Sequence, residues 1–286
     1  MQLTFSGFHV VGKMVLAEMH PLALAVLRVG FATPVLLAIA WRRDRALPAA
    51  RDLPWLALLG ALGVFGNQVL FIWGLSYTTA TDAAILMPSI PVFAAGLAVA
   101  LRLERVGPRR VAGIALAVTG ALVVLDPTRF SIADRAAVGN LLILVNCLFY
   151  AGFLVLQRPI LERLPWRTVI AWSFLFGSLG VLAVGGGELA ALDPGTVSRG
   201  AWLGVAFILL LPTVLGYLLA TWAVRRSSPS LVAAYTTLQP PLSALLAAAF
   251  LGERFGAAEA AGFTLIAAGL WLVSRRRRRP ARAGDG

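Results

Sequence analysis

The chain has 286 residues, 59% of them hydrophobic and 13% charged, with a formal net charge of +12. Soluble domains hold roughly 25% charged residues, so the composition excludes a water-soluble globular domain. The positive charge does not indicate nucleic acid either, because almost every arginine lies in a short break between apolar runs or in the tail Arg275–Arg279, where the positive-inside rule puts such residues.

A membrane helix needs about 20 mostly apolar residues to cross roughly 30 Å of hydrocarbon. Reading apolar runs against breaks rich in Arg, Gly, Pro or polar residues predicts spans near 3–18, 21–41, 54–75, 79–101, 109–125, 138–157, 167–186, 200–224, 229–251 and 257–274. A single transmembrane domain therefore fills 1–286, ending in a basic tail at 275–286. The first segment has neither a basic leader nor a small-residue cleavage pattern, so no cleavable signal is expected. The lone Cys147 falls inside span six, which excludes an intrachain disulfide.

The breaks after spans two, four, six and eight hold Arg42, Arg43, Arg45, Arg51, Arg102, Arg105, Arg109, Arg110, Arg158, Arg163, Arg167, Arg225 and Arg226. The tail adds its own arginines to that side, whereas the other breaks hold only Arg129, Arg135, Arg199 and Arg254. This bias predicts both termini in the cytoplasm and an even number of spans in a bacterial-type inner (plasma) membrane. Trp41, Trp55, Trp166, Trp202 and Trp271 fall near predicted span ends, as interfacial aromatic belts require.

The chain matches itself without gaps at an offset of 149: Trp73 meets Trp222, Pro91 meets Pro240, Glu104-Arg105 meets Glu253-Arg254, and Gly113 and Gly120 meet Gly262 and Gly269. At an offset of 145, Gly7-Phe8 meets Gly152-Phe153 and Lys13 meets Arg158. These matches predict a duplication, with repeat one at 1–125 and repeat two at 138–274. Five spans per repeat reverse the second copy relative to the first. The expected fold is an all-α membrane protein of ten transmembrane helices, arranged as two inverted five-helix repeats around a central cavity. Span one is short by the standard of span six, so its start lies upstream or it enters only one leaflet.

Inverted-repeat carriers place broken helices beside a midplane site. The candidates here are Pro88 and Pro91 in span four and Pro240 and Pro241 in span nine. Each proline removes a backbone donor and crowds the preceding turn, which makes these positions either hinges or packing kinks. Lys13 and Arg28 are the basic residues inside spans, and neither should face lipid. Lys13 is a candidate carboxylate ligand, whereas Arg28 reads as structural, snorkelling or pairing with an internal carbonyl, because span two has no other polar cluster. His9 is a helix-end residue or a proton carrier.

Polar and aromatic side chains gather on the spans beside the kinks: Asn67, Trp73 and Tyr77 around span three, Asp82 and Ser89 on four, Asn146 and Tyr150 on six, Thr213 and Tyr217 on eight, Tyr235 and Gln239 on nine. Any one of them could equally be interhelical glue, but together they are the predicted substrate-binding set. Gly113, Ala117, Gly120, Gly262 and Gly269 form small-residue stripes that suit packing between repeats or a dimer face, so the chain is expected as a monomer or homodimer. There is no Walker loop, no HExxH, no GxSxG and no Cys/His cluster at metal spacing. No cofactor, metal or catalytic residue is predicted.

The Val11-Gly12-Lys13 segment, Leu27-Arg28, and the stretch from Pro91 to Glu104-Arg105 with its copy from Pro240 to Glu253-Arg254 resemble the EamA-type branch of the drug/metabolite transporter superfamily over essentially the whole chain. More narrowly, the chain resembles amino-acid exporters of the YddG type. The resemblance implies a secondary transporter with a cavity lined by spans one, three, four, six, eight and nine, exporting amino acids or related small metabolites. Membrane lipid is the other expected partner. The rival readings are a drug or nucleotide-sugar carrier of the same fold, and a non-transporting membrane protein such as a lipid-handling enzyme or an assembly subunit.

Overall fold

The computed structural model describes residues 2–101, 108–125, 134–227, 232, 239–252 and 256–274. Among them the chain is all helical, without a strand. The helical rods are α1 (Gln2–Val15), α2 (Pro21–Asp44), α3 (Ala50–Tyr77), α4 (Ala80–Ala100) and α5 (Pro108–Leu125), then α6 (Arg135–Leu161), α7 (Trp166–Ala190), α8 (Arg199–Arg226), α9 (Gln239–Leu251) and α10 (Ala257–Ser274). Six of these, α2, α3, α4, α6, α7 and α8, are long and apolar enough to cross a membrane. With α1 at 14 residues, its rise of about 21 Å falls short of the roughly 30 Å hydrocarbon thickness.

Local chemistry sets the helix starts. Pro21 occupies the first turn of α2, where its missing N–H is no loss. Thr79, Asp134 and Ser198 cap α4, α6 and α8, accepting from the amides of Asp82, Ala136 and Ala201 at 2.9, 3.0 and 3.1 Å. Each satisfies an amide that the helix itself leaves open.

The rods pack in matched pairs. α2 runs along α7 and α5 along α10; α3 and α4 both pack on α6, while α8 and α9 both pack on α1. Exchanging α1–α5 for α6–α10 maps this set of contacts onto itself. Glycine permits the closest approaches: a Cβ on Gly177 of α7 would stand 2.5 Å from the Gly60 carbonyl of α3, and one on Gly120 of α5 would stand 2.7 Å from the Gly262 carbonyl of α10. The small-residue stripe read from the sequence thus includes a point where α5 and α10 touch backbone to backbone.

Three of the long rods are broken. α4 is interrupted at Met87-Pro88: the Ile90 amide bonds to Met87 at 3.0 Å, and the Leu86 carbonyl takes the Cys147 thiol at 3.5 Å instead. α3 and α8 each contain a π-helical segment, Ala61–Gly66 and Leu209–Leu215, which the offset of 149 superposes to within a residue. Wider turns of this kind expose backbone carbonyls and commonly mark functional sites. The second proline pair, Pro240-Pro241, lies in the first turn of α9. The Glu104-Arg105 and Glu253-Arg254 pairs and the basic tail fall outside the described residues.

Candidate functional site

The broken helices surround a cavity near the middle of the bundle. α1 contributes Phe5, Phe8 and His9, α3 contributes Asn67 and Phe71, and α4 contributes Met87 and Ile90 from either side of its break. Asn146, Tyr150 and Leu154 come from α6, Tyr217 from α8, Gln239 from α9, together with Val232. Arg28 of α2 completes the lining. About 50 Å³ of free space remains, room for a water or two at about 30 Å³ each.

The two π segments organise the walls. Pro212 lies within the α8 segment and has no N–H to offer the Ile208 carbonyl. The Thr213 hydroxyl donates to that carbonyl instead, at 2.7 Å, and in turn accepts from Arg28 Nε at 2.9 Å. On the facing wall, the Tyr217 hydroxyl lies 2.9 Å from the Gly63 carbonyl in the α3 segment and 2.6 Å from Asn67 Oδ1. Its single proton is shared between those two acceptors. Asn146 Nδ2 donates to the Asn67 carbonyl at 2.7 Å, fixing α6 to α3 just past the π segment.

Aromatic rings fill the space between these bonds. Tyr217 meets Phe174 edge-on at 4.9 Å and Tyr150 at 6.4 Å, while Tyr150 stacks on Phe153 at 6.0 Å. Phe8 lies 5.0 Å from Phe71, and its face receives the Arg28 guanidinium at 4.3 Å from the ring centroid. His9 is buried, edge-on to Phe71 at 5.5 Å. Its Nδ1 lies 3.2 Å from Ser243 Oγ, which also lies 3.2 Å from the Ser6 carbonyl. Nε2 is buried with no hydrogen-bond partner among the described residues.

Six of the sequence-predicted residues therefore line the cavity: His9, Asn67, Asn146, Tyr150, Tyr217 and Gln239. Thr213 reaches it through Arg28. Lys13, Trp73, Tyr77, Asp82 and Ser89 do not line it, and Tyr235 lies outside the described residues. The Lys13 ammonium donates to the carbonyls of Leu75, Ser76 and Thr78 at 3.0, 3.3 and 2.5 Å, where α3 ends. Trp73 Nε1 donates to the Tyr77 hydroxyl at 3.2 Å, and Thr78 bonds both Asp82 and Asn140. Lys13, Asp82 and Asn140 thus meet the end of α3 in a polar knot that ties α1, α3, α4 and α6 together, whereas Ser89 is buried with no hydrogen-bond partner among the described residues.

Sequence reasoning missed Arg28 as a lining residue. The sequence places an arginine in span two, but its partner Thr213 is supplied by α8 across the duplication. The aliphatic and phenylalanine lining carried no signal of its own, because such residues fill every span.

Comparison with known proteins identifies the architecture. The model of the EamA-like transporter family matches residues 2–126 and 137–275. The chain belongs to that family. An uncharacterized transporter of Archaeoglobus fulgidus is 28% identical over 95% of this chain and 94% of its own length. A "probable terminal-alkyne amino-acid exporter" of Streptantibioticus cattleyicolor is 30% identical over 82% of this chain and 78% of its own. Protein WALLS ARE THIN 1 of Arabidopsis thaliana is 26% identical over 96% and 80%. A solved crystal structure shares the fold, with a TM-score of 0.64 at 19% identity over 95% of this chain and 96% of the other. This EamA-family chain is thus a multi-pass membrane protein from a family of transporters rather than enzymes.

Proposed function

We propose that this protein is a secondary transporter that exports amino acids or related small metabolites across the inner (plasma) membrane by alternating access. Ten transmembrane helices, as two inverted five-helix repeats with both termini cytoplasmic, form its frame. The observation that carries the reading is the central cavity: Asn67 and Tyr217, just past the breaks in α3 and α8, and Met87 and Ile90, at the break in α4, converge on one aromatic-walled space inside an apolar bundle. The exchange symmetry of the packing supports the repeat frame, as does the family match in two stretches. The kinship with an amino-acid exporter supports the substrate class.

Motion of one repeat against the other, with Pro88, Pro91, Pro240 and Pro241 as hinge positions, would open the narrow cavity to each side in turn. Purified protein in liposomes is expected to release labelled amino acids down their gradient without ATP. Failure to move any member of a broad amino-acid panel, with protein shown to be folded, overturns the reading. Repeating the assay with an imposed pH gradient separates proton exchange from uniport.

A further inference from the structure

Arg28 is a cation inside the bundle, most of whose hydrogen-bonding capacity has no partner among the described residues. It is 2% exposed, and its one hydrogen bond to a described residue, from Nε to Thr213, leaves both Nη groups without one. Phe8 covers one face of the guanidinium. No carboxylate of the described residues lines the cavity, and Arg28 forms no ion pair with any of them.

A charge taken out of water is costly unless something pairs with it, and a guanidinium does not escape by losing its proton. None of the described residues supplies that countercharge, so a solute entering the cavity is the natural source. The planar fork of a guanidinium matches a carboxylate or a phosphate through two parallel N–H···O bonds. Charge balance separates those two: a phosphate dianion would leave net negative charge in a cavity walled by Phe5, Phe8, Phe71, Leu154 and Ile90, whereas a monocarboxylate cancels the single arginine.

We propose that Arg28 is the anion anchor of this transporter, its Nη groups holding the carboxylate of a solute whose apolar body lies against the phenylalanine wall. The proposal rests on the transport reading and narrows its substrate class to monocarboxylates with an apolar body; the zwitterion of an apolar amino acid satisfies the Arg28 fork through its carboxylate but leaves its ammonium to neutral acceptors. Thr213 is a positioning residue: the carbonyl freed by Pro212 fixes its hydroxyl, the hydroxyl fixes Nε, and Nη is thereby presented to the cavity. The chain also ties α2 to the broken part of α8, so movement of α8 moves the anchor.

Two matched ligand sets test this on full-length protein purified in detergent: alanine, propionate and ethylamine, and phenylalanine, hydrocinnamate and phenethylamine. A ligand that prefers the folded state raises the apparent melting temperature. Members bearing a carboxylate in at least one set are expected to stabilise the protein while the matching amine does not, and Arg28→Gln is expected to weaken that binding by at least about 10-fold. Arg28→Lys should restore part of it. Amines that stabilise as well as the carboxylates, no stabilisation by any carboxylate, or an Arg28→Gln protein that responds like wild type overturns the anchor. Should the Arg28→Gln protein not fold, the wild-type comparison of carboxylate with amine decides alone. This readout needs no transport, so the anchor and the carrier reading fail separately.

Discussion

Lys13 on α1 and Arg28 on α2 are both cations within apolar runs, and on insertion scales each would be penalised by about 2.5–3.5 kcal/mol at a helix centre. Lys13 meets the end of α3, where its ammonium takes three carbonyls. A helix C-terminus leaves its last carbonyls unsatisfied and carries partial negative charge, so a lysine there completes another element. Arg28 meets a hydroxyl and an aromatic face, on a cavity without a carboxylate among its described lining. Burial alone does not distinguish a structural cation from a functional one. The number of donors already committed does.

The largest effect that would sharpen this contrast is on transport. Arg28→Gln is expected to lower carboxylate flux in liposomes by roughly 10- to 100-fold, the loss expected for a charged hydrogen-bonding group, with insertion and melting temperature near wild type. Unchanged flux would place Arg28 with Lys13 as structural. Lys13→Met is expected to act the other way. Thermal unfolding should show a loss of about 2–4 kcal/mol, since buried carbonyls would lose a charged donor, while KM stays within about twofold. A raised KM at unchanged stability would return Lys13 to the substrate.

Smaller changes probe the supports. Thr213→Val should raise KM by several-fold through a misplaced anchor and leave charge selectivity intact, measurable as the ratio of carboxylate to amine binding. Tyr217→Phe removes the hydroxyl between Gly63 and Asn67, and unfolding should register about 1 kcal/mol. A loss of flux much larger than that stability change would move Tyr217 from the wall to the ligand.

Most helices were readable because a membrane crossing demands about 20 apolar residues, and the arginine-rich breaks delimit them. Span two, predicted at 21–41, is observed as Pro21–Asp44, and span seven, predicted at 167–186, as Trp166–Ala190. The differences lie at the ends, where hydropathy fades but the helix hydrogen bonds continue. The break in α4 was legible from Pro88. The π segment of α3 was not, since Ala61–Gly66 contains no proline; the segment packs against α6 and α7.

The candidate site divides in the same way. Polar residues in apolar runs announced Asn67, Asn146, Tyr150 and Tyr217, since a polar side chain in hydrocarbon has to find a partner or line a cavity. Which of those two fates applied was not legible. Trp73, Tyr77 and Asp82 carry the same signal and gather instead around the end of α3.

The sequence by itself determined that this chain is a bundle of apolar helices carrying internal self-similarity, because hydrocarbon thickness and backbone hydrogen bonding leave an apolar chain few other forms. Only the tertiary structure showed how many partners each of its two cations within apolar runs has among the described residues. Lys13 is matched by α3 and Arg28 by α8, and whether spare donors remain depends on how many partners distant helices bring within about 3 Å, a quantity that no local pattern encodes.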